Sequence, residues 1–127
     1  MSANTDESEF VVVLVTAPEG EPAVRLSRAL VAEGLAACVN RLPGIRSVYR
    51  WQGAVHDDAE TLLVIKSTRD AWPALETRIR ELHPYDVPEV IALPVWAGSE
   101  PYLRWLAGSI GAPITAAAPP SASPNEP

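Results

Sequence analysis

Residues 10–17 read Phe-Val-Val-Val-Leu-Val-Thr-Ala, a run without a single charge in which half the side chains are valine. So short and β-branched a stretch fits a strand, and a strand apolar at every position belongs at the centre of a sheet covered on at least one face. That requirement constrains the fold more than any other feature of the chain. Two more runs have the same character: Thr61–Ser67, TLLVIKS, beginning earlier near Val55, and Glu89–Trp96, EVIALPVW. Cys38–Leu42 and Ile45–Gln52 read as one long strand interrupted at Pro43-Gly44, where a bulge or bend is expected. Gly53 then turns the chain, so this strand and the next form a long hairpin.

Helical periodicity fills the gaps. After Pro22, which suits a first helical turn, Ala23, Leu26, Leu30, Val31 and Leu35 recur at helical spacing, with Gly34 as the stop. Asp70 is placed to cap a second helix with Pro73 in its first turn. Trp72, Leu75, Ile79 and Leu82 form its apolar stripe, and Pro84 ends it. Ser99 is expected to cap a short last helix facing Tyr102, Leu103, Leu106 and Ile110 inward. The order β-α-β-β-α-β plus a C-terminal helix predicts an α+β, ferredoxin-like split βαβ sandwich, a four-stranded antiparallel sheet with helices on one face. Its other face is also apolar, and Tyr49 and Trp51 lie on the hairpin. A monomer rarely leaves such a face uncovered, so other subunits of a cyclic oligomer are expected to bury it.

Length fits one domain: a body at residues 10–110 between tails at 1–9 and 111–127, both read as disordered from their polar or Ala/Pro/Ser-rich composition. The net charge of −6 is concentrated outside the body, at Asp6, Glu7, Glu9 and Glu126. What remains is too balanced to call for a nucleic-acid or anionic-membrane partner. A lone cysteine, Cys38, excludes an internal disulfide and a multi-thiolate zinc site. The acidic N-terminus lacks the pattern of a secretion signal, and no apolar run is long enough to span a bilayer, so a cytoplasmic protein is expected.

Five stretches, in order, carry a resemblance: LAACVN at 35–40, PGIRSVYRWQG at 43–53, LLVIKST at 62–68, HPYDVPEVIALPV at 83–95 and YLRWL at 102–106. Together they resemble the CutA divalent-cation tolerance family over residues 11 to 110. The resemblance implies a tight homotrimer joined through sheet and hairpin, similar in plan to the PII signalling proteins. It also implies a role in tolerance of copper or a related divalent metal, with metal binding under metal stress. The family's copper ligands imply a cysteine in the first strand and two histidines before Pro-Tyr; Val15 and Leu82 occupy two of those positions here, and His83 remains. A copper centre takes two or more soft or imidazole ligands, so His83 is insufficient alone.

The remaining candidates divide between structure and chemistry. His83, before a proline, is placed to end the second helix; as a metal ligand it would need help from Glu89, Asp86 or a neighbouring subunit. Cys38 reads as a small buried hydrophobe or, at an interface, a thiolate ligand. Lys66 is the only lysine and interrupts an apolar strand, on the face of Leu62 and Val64. It is expected to pair with Glu60 or Glu89, as an interface salt bridge or an anion-binding group. Tyr49, Trp51, Tyr85 and Trp96 are placed to pack at, or line, a cleft between subunits. His56, Asp57 and Asp58 read as a solvated hairpin. The glycine after YRWQ is followed by HDD carboxylates, which excludes an acylphosphatase-type phosphate loop. No catalytic set of any other kind is visible, so no enzymatic activity is expected. The second reading is a PII-like module holding an anionic metabolite in inter-subunit clefts through Lys66 with Arg41 or Arg50.

Overall fold

The structure, a computed structural model, describes residues 8–114; of the tails read at 1–9 and 111–127, residues 1–7 and 115–127 lie outside the described residues. The elements run β1 (Phe10–Pro18), α1 (Glu21–Ala32), β2 (Cys38–Trp51), β3 (Ala54–Thr68), α2 (Trp72–Leu82), β4 (Val90–Pro94) and α3 (Glu100–Gly108). The four strands form one antiparallel sheet in the order β2-β3-β1-β4, the expected α+β arrangement. Apolar β1 and β3 take the centre and Pro94 falls on the edge strand β4, where a missing amide proton costs least.

Period two sorts the central strands into two faces. Val11, Val13, Val15 and Ala17 of β1, with Leu63 and Ile65 of β3, are buried beneath Ala23, Leu26 and Leu30 of α1 and Leu75 and Ile79 of α2. Each large side chain in this cluster contributes on the order of 1.5–3 kcal/mol relative to exposure. Ser67 is on the same buried face, and its hydroxyl donates to the Leu35 carbonyl at 2.7 Å, tying the α1–β2 connection to β3. Arg78 of α2 donates to both carboxylate oxygens of Glu33 at 2.8 and 3.0 Å, clamping α2 to the end of α1. That hydrogen-bonded guanidinium holds the Glu33 carboxyl below its ordinary range.

Two capping expectations fail. The N-cap position of α2 is Ala71, not Asp70, and the helix has no side-chain cap; the Ala71 amide donates to the Thr68 hydroxyl at 3.2 Å, tying the helix start to the end of β3. Ser99 occupies the N-cap position of α3 without a side-chain cap, and of the four residues expected to face inward only Leu106 is fully buried. Leu106 lies outside the main cluster although α3 packs on β3, and burial, then the neighbouring Cys38, raises the Tyr102 phenol. Helix α3 therefore covers the Cys38 end of the second sheet face, so the helices are not all on one side. The rest of that face, including Ile91 (48% exposed) and Leu93 (45%), stays open.

The interruption at Pro43-Gly44 sets which side chains reach the open face. Cys38 pairs with Lys66 and Leu42 with Leu62, but Ile45 pairs with Glu60, so β2 carries one extra residue. A one-residue slip inverts side-chain parity. Even positions of β2 share the face of Lys66 before the bulge, and odd positions after it, which brings Tyr49 and Trp51 onto the face of Glu60.

Helix α1 ends where expected. Gly34 has φ +76°, its amide donates to Val31 and that of Leu35 to Leu30, the paired bonds of a Schellman stop. A Cβ on Gly34 would collide with the backbone carbonyl of Gly111, whose amide donates to Gly34 at 2.9 Å. Gly34→Ala is therefore expected to lower unfolding free energy by at least about 2 kcal/mol, from backbone strain plus a clash that no side-chain movement relieves. Urea unfolding of the variant beside the parent measures it.

Candidate functional site

The residue before a proline is driven out of helical geometry, and His83 obeys: its amide closes the last turn of α2 on Ile79 and its backbone turns extended, with ψ 136°. The imidazole is 6% exposed and both nitrogens are engaged. Nδ1 accepts from the Tyr85 amide at 3.1 Å, so Nε2 carries the proton and donates to the Thr16 carbonyl at 2.7 Å. One side chain thus ends α2, shapes the following corner and pins it to β1. In this arrangement neither ring nitrogen has a lone pair free for a metal.

The corner swings Tyr85 onto the open face. Its ring centroid lies 4.8 Å from that of His83, and its hydroxyl donates to Glu60 Oε2 at 3.0 Å. Glu60 is only 4% exposed. Next to it on the same face, Tyr49 donates to Asp58 Oδ2 and stacks on His56 with centroids 5.3 Å apart. Burial, then the hydrogen bond to Glu60, then the carboxylate charge push the Tyr85 phenol up to about 12. The hydrogen bond to Asp58 raises that of Tyr49.

Lys66 does not join this cluster. Six residue steps along β3 separate it from Glu60, roughly 20 Å at ~3.3 Å per residue. Its expected pairing with Glu60 or Glu89 is absent within the chain: the ammonium meets the Asn40 amide oxygen and lies 4.0 Å from Cys38 Sγ. The register explains this, because Asn40 and Cys38 are its cross-strand neighbours on the same face. Cys38 is consequently far from His83, which is anchored at Thr16, four strand positions further along. The two residues expected to share a metal are not brought together, and among the described residues no three His, Cys, Asp or Glu side chains cluster to hold one. Glu89 is exposed just before β4, Trp51 is exposed at the hairpin end, and Asp57 pairs with Arg46 at 2.9 Å. The residues at hand therefore do not fit a resident copper centre on His83 and Cys38.

Three participants escaped the sequence. The Thr16 carbonyl carries no side-chain signal. Asp58, read as solvated, shares strand parity with Glu60 and was recoverable from it; Asn40 lies on the Lys66 face for the same reason. On the helical side, a groove of ≈630 Å³ runs between the start of α1 and β2, lined by Gly20, Ala23, Asn40, Arg41 and Thr61 among others. Arg41 spans it, donating to the Ser27 hydroxyl at 2.7 Å. Arg41 is thus placed well away from Lys66, and the two do not form one anion site within a chain.

The raised tyrosine has a measurable consequence. A phenol whose folded value is about 12 keeps its proton where the unfolded chain, at the ordinary 10.0, has released it. The stabilisation is complete below the lower value and is lost as pH rises through the higher. Unfolding free energy is expected to fall between those two pH values, with a shallower fall in Tyr85→Phe; urea unfolding across alkaline pH, with tyrosinate absorbance as the second readout, tests both.

With the geometry in place, comparisons with known proteins identify the lineage. The family described as CutA1 divalent ion tolerance protein matches residues 11–109. The divalent-cation tolerance protein CutA of Thermus thermophilus is 52% identical over 100 residues, covering 79% of this chain and 97% of that protein. The chloroplastic protein CutA of Arabidopsis thaliana is 50% identical over 99 residues, 78% of this chain but 54% of its own length. Among solved structures, CutA from Xylella fastidiosa superposes with a TM-score of 0.80 at 42% identity, covering 82% of this chain and all of its own. The T. thermophilus protein does so at 0.79 and 51% identity, over 80% of this chain and 99% of its own. Agreement in sequence over the entire sheet, and in fold over the same span, means that this chain belongs to the CutA1 divalent ion tolerance protein family.

Proposed function

We propose that the chain serves divalent-cation tolerance as a non-enzymatic homotrimer, closed through the open sheet face and the hairpin, whose contact with copper or a related divalent ion is transient rather than resident. The observation that carries the trimer is the open face itself. Central strands apolar on both sides, with helices α1 and α2 covering one side and α3 only an end of the other, leave Leu14, Leu62, Val64, Ile91 and Leu93 beside water. Trp96, 92% exposed beyond β4, extends the apolar surface. Copies of the same chain bury such a face at no new sequence cost. The transience of the metal follows from His83: a copper ion reaches Nδ1 or Nε2 only by displacing the Tyr85 amide or the Thr16 carbonyl.

A second reading has an observation of its own. The groove beside Arg41 has a guanidinium and the Thr61 hydroxyl along its wall, which suits a small anionic metabolite of the kind a PII-like module senses.

Calorimetric titration of tag-free protein with Cu²⁺, beside His83→Ala, separates a resident from a transient metal. Only weak binding, unchanged by the substitution, is expected. A tight site lost in His83→Ala, at one or three ions per trimer, would overturn the transient assignment. Thermal melts with Cu²⁺, Zn²⁺ and pyrophosphate test the two readings against each other, since a ligand raises the melting temperature only by binding the native state. A rise with the metals alone supports the first reading, and a rise with pyrophosphate alone, lost in Arg41→Ala, supports the second.

A further inference from the structure

The open face has a charge pattern that one copy of the chain leaves incomplete. At one end Lys66, the only lysine, has an amide and a thiol beside it and, among the described residues, no carboxylate within salt-bridge distance. At the other end Glu60 is almost enclosed, with the Tyr85 hydroxyl bonded to Oε2. Among the described residues the Tyr85 hydroxyl is the one side-chain hydrogen-bond partner of this carboxylate, which leaves the second oxygen, Oε1, for another donor. Between the two ends lie Leu62 and Val64, flanked by Leu14 on β1. The face is cationic at one end, anionic at the other and apolar in the middle.

We propose that Lys66 of one copy pairs with Glu60 of the next, so that the Glu60–Tyr85 site is complete only in the assembly. The inference rests on the oligomeric reading above and specifies its contact. Glu60 is already almost out of water within one copy and covering the apolar middle takes Lys66 out as well, and an ammonium or carboxylate buried without a counter-charge is strongly unfavourable. The roughly 20 Å of strand between them rules out pairing within a copy. In a cyclic assembly the contacts are head to tail, so one end of the face meets the other end of its neighbour. Other nearby carboxylates fit less well: Asp57 is taken by Arg46, Asp58 by Tyr49, and Glu89 is exposed and keeps its water. The pair also gives Tyr85 a role beyond packing, because its hydroxyl fixes the carboxylate that receives the incoming ammonium.

A charge exchange tests this in the full chain. Light scattering over a range of concentrations, with far-ultraviolet circular dichroism to confirm folding, is applied to the parent, Lys66→Glu, Glu60→Lys and the double exchange. Each single reversal is expected to weaken association at least about tenfold, and the double exchange to recover most of that loss, because each copy then offers the swapped pair to its neighbour. The neutral variants Lys66→Met and Glu60→Gln guard against misfolding and are expected to weaken association less than the reversals. A trimeric parent whose neutral variants associate and melt as the parent does, or whose double exchange is no better than the summed singles, overturns the pair and leaves the trimer standing. A parent that is monomeric at every concentration overturns the trimer, and the pair with it.

Discussion

Everything in this fold depends on a mismatch between strands that are apolar on two faces and helices that cover only one. β1 and β3 present valine, leucine and isoleucine on both sides, and α1 and α2 fill one side with Leu26, Leu30, Leu75 and Ile79. The hydrophobic effect is proportional to area removed from water and indifferent to which molecule removes it. A second layer supplied by further copies is the completion we propose, and a short α3 resting on one end of the face leaves room for it.

Two backbone devices determine what that face presents. The extra residue at Pro43-Gly44 inverts parity in the outer half of β2, which brings Tyr49 alongside Asp58 and His56. The helix stop at His83-Pro84 turns the chain out of α2, and the imidazole, bonded at both nitrogens, fixes the corner that delivers Tyr85 to Glu60. Polar groups on the face are consequently few, and those near Glu60 are held by neighbours that leave little conformational choice. A carboxylate this enclosed is preorganised, because its orientation is already fixed before any partner arrives.

This arrangement also bears on the metal. Imidazole coordinates through a lone pair, and here one nitrogen's lone pair is occupied by an amide proton while the other nitrogen carries its own. Val15 and Leu82, where the sequence resemblance alone would put further ligands, supply no donor atom, and Val15 belongs to the apolar core under the helices. The same residues that would have to rearrange around an ion are the ones that join α2 to β1. Tolerance without a permanent metal centre is consistent with that economy, and the family membership does not depend on it.

Much was legible before any coordinates. Strand and helix order, the hairpin, the bulge, the Gly34 stop and the sidedness of Lys66 follow from periodicity, proline and glycine, because these act within a few residues of chain. The caps were not legible, since the residue that opens a helix depends on where the preceding strand leaves it: α2 opens at Ala71, whose amide donates to Thr68 at the end of β3, rather than on an Asp70 cap. The site was legible only in part. Glu60, Tyr49 and Tyr85 were singled out and do converge, whereas Lys66, Cys38 and Glu89 do not. Sequence determined the alternation that makes one face apolar and places a lysine and a glutamate on it. Only the tertiary structure decided that Lys66 meets Asn40 and Cys38 and that His83 is bonded through both nitrogens, because strand register and the path of a corner are set by packing across the sheet rather than by neighbours along the chain.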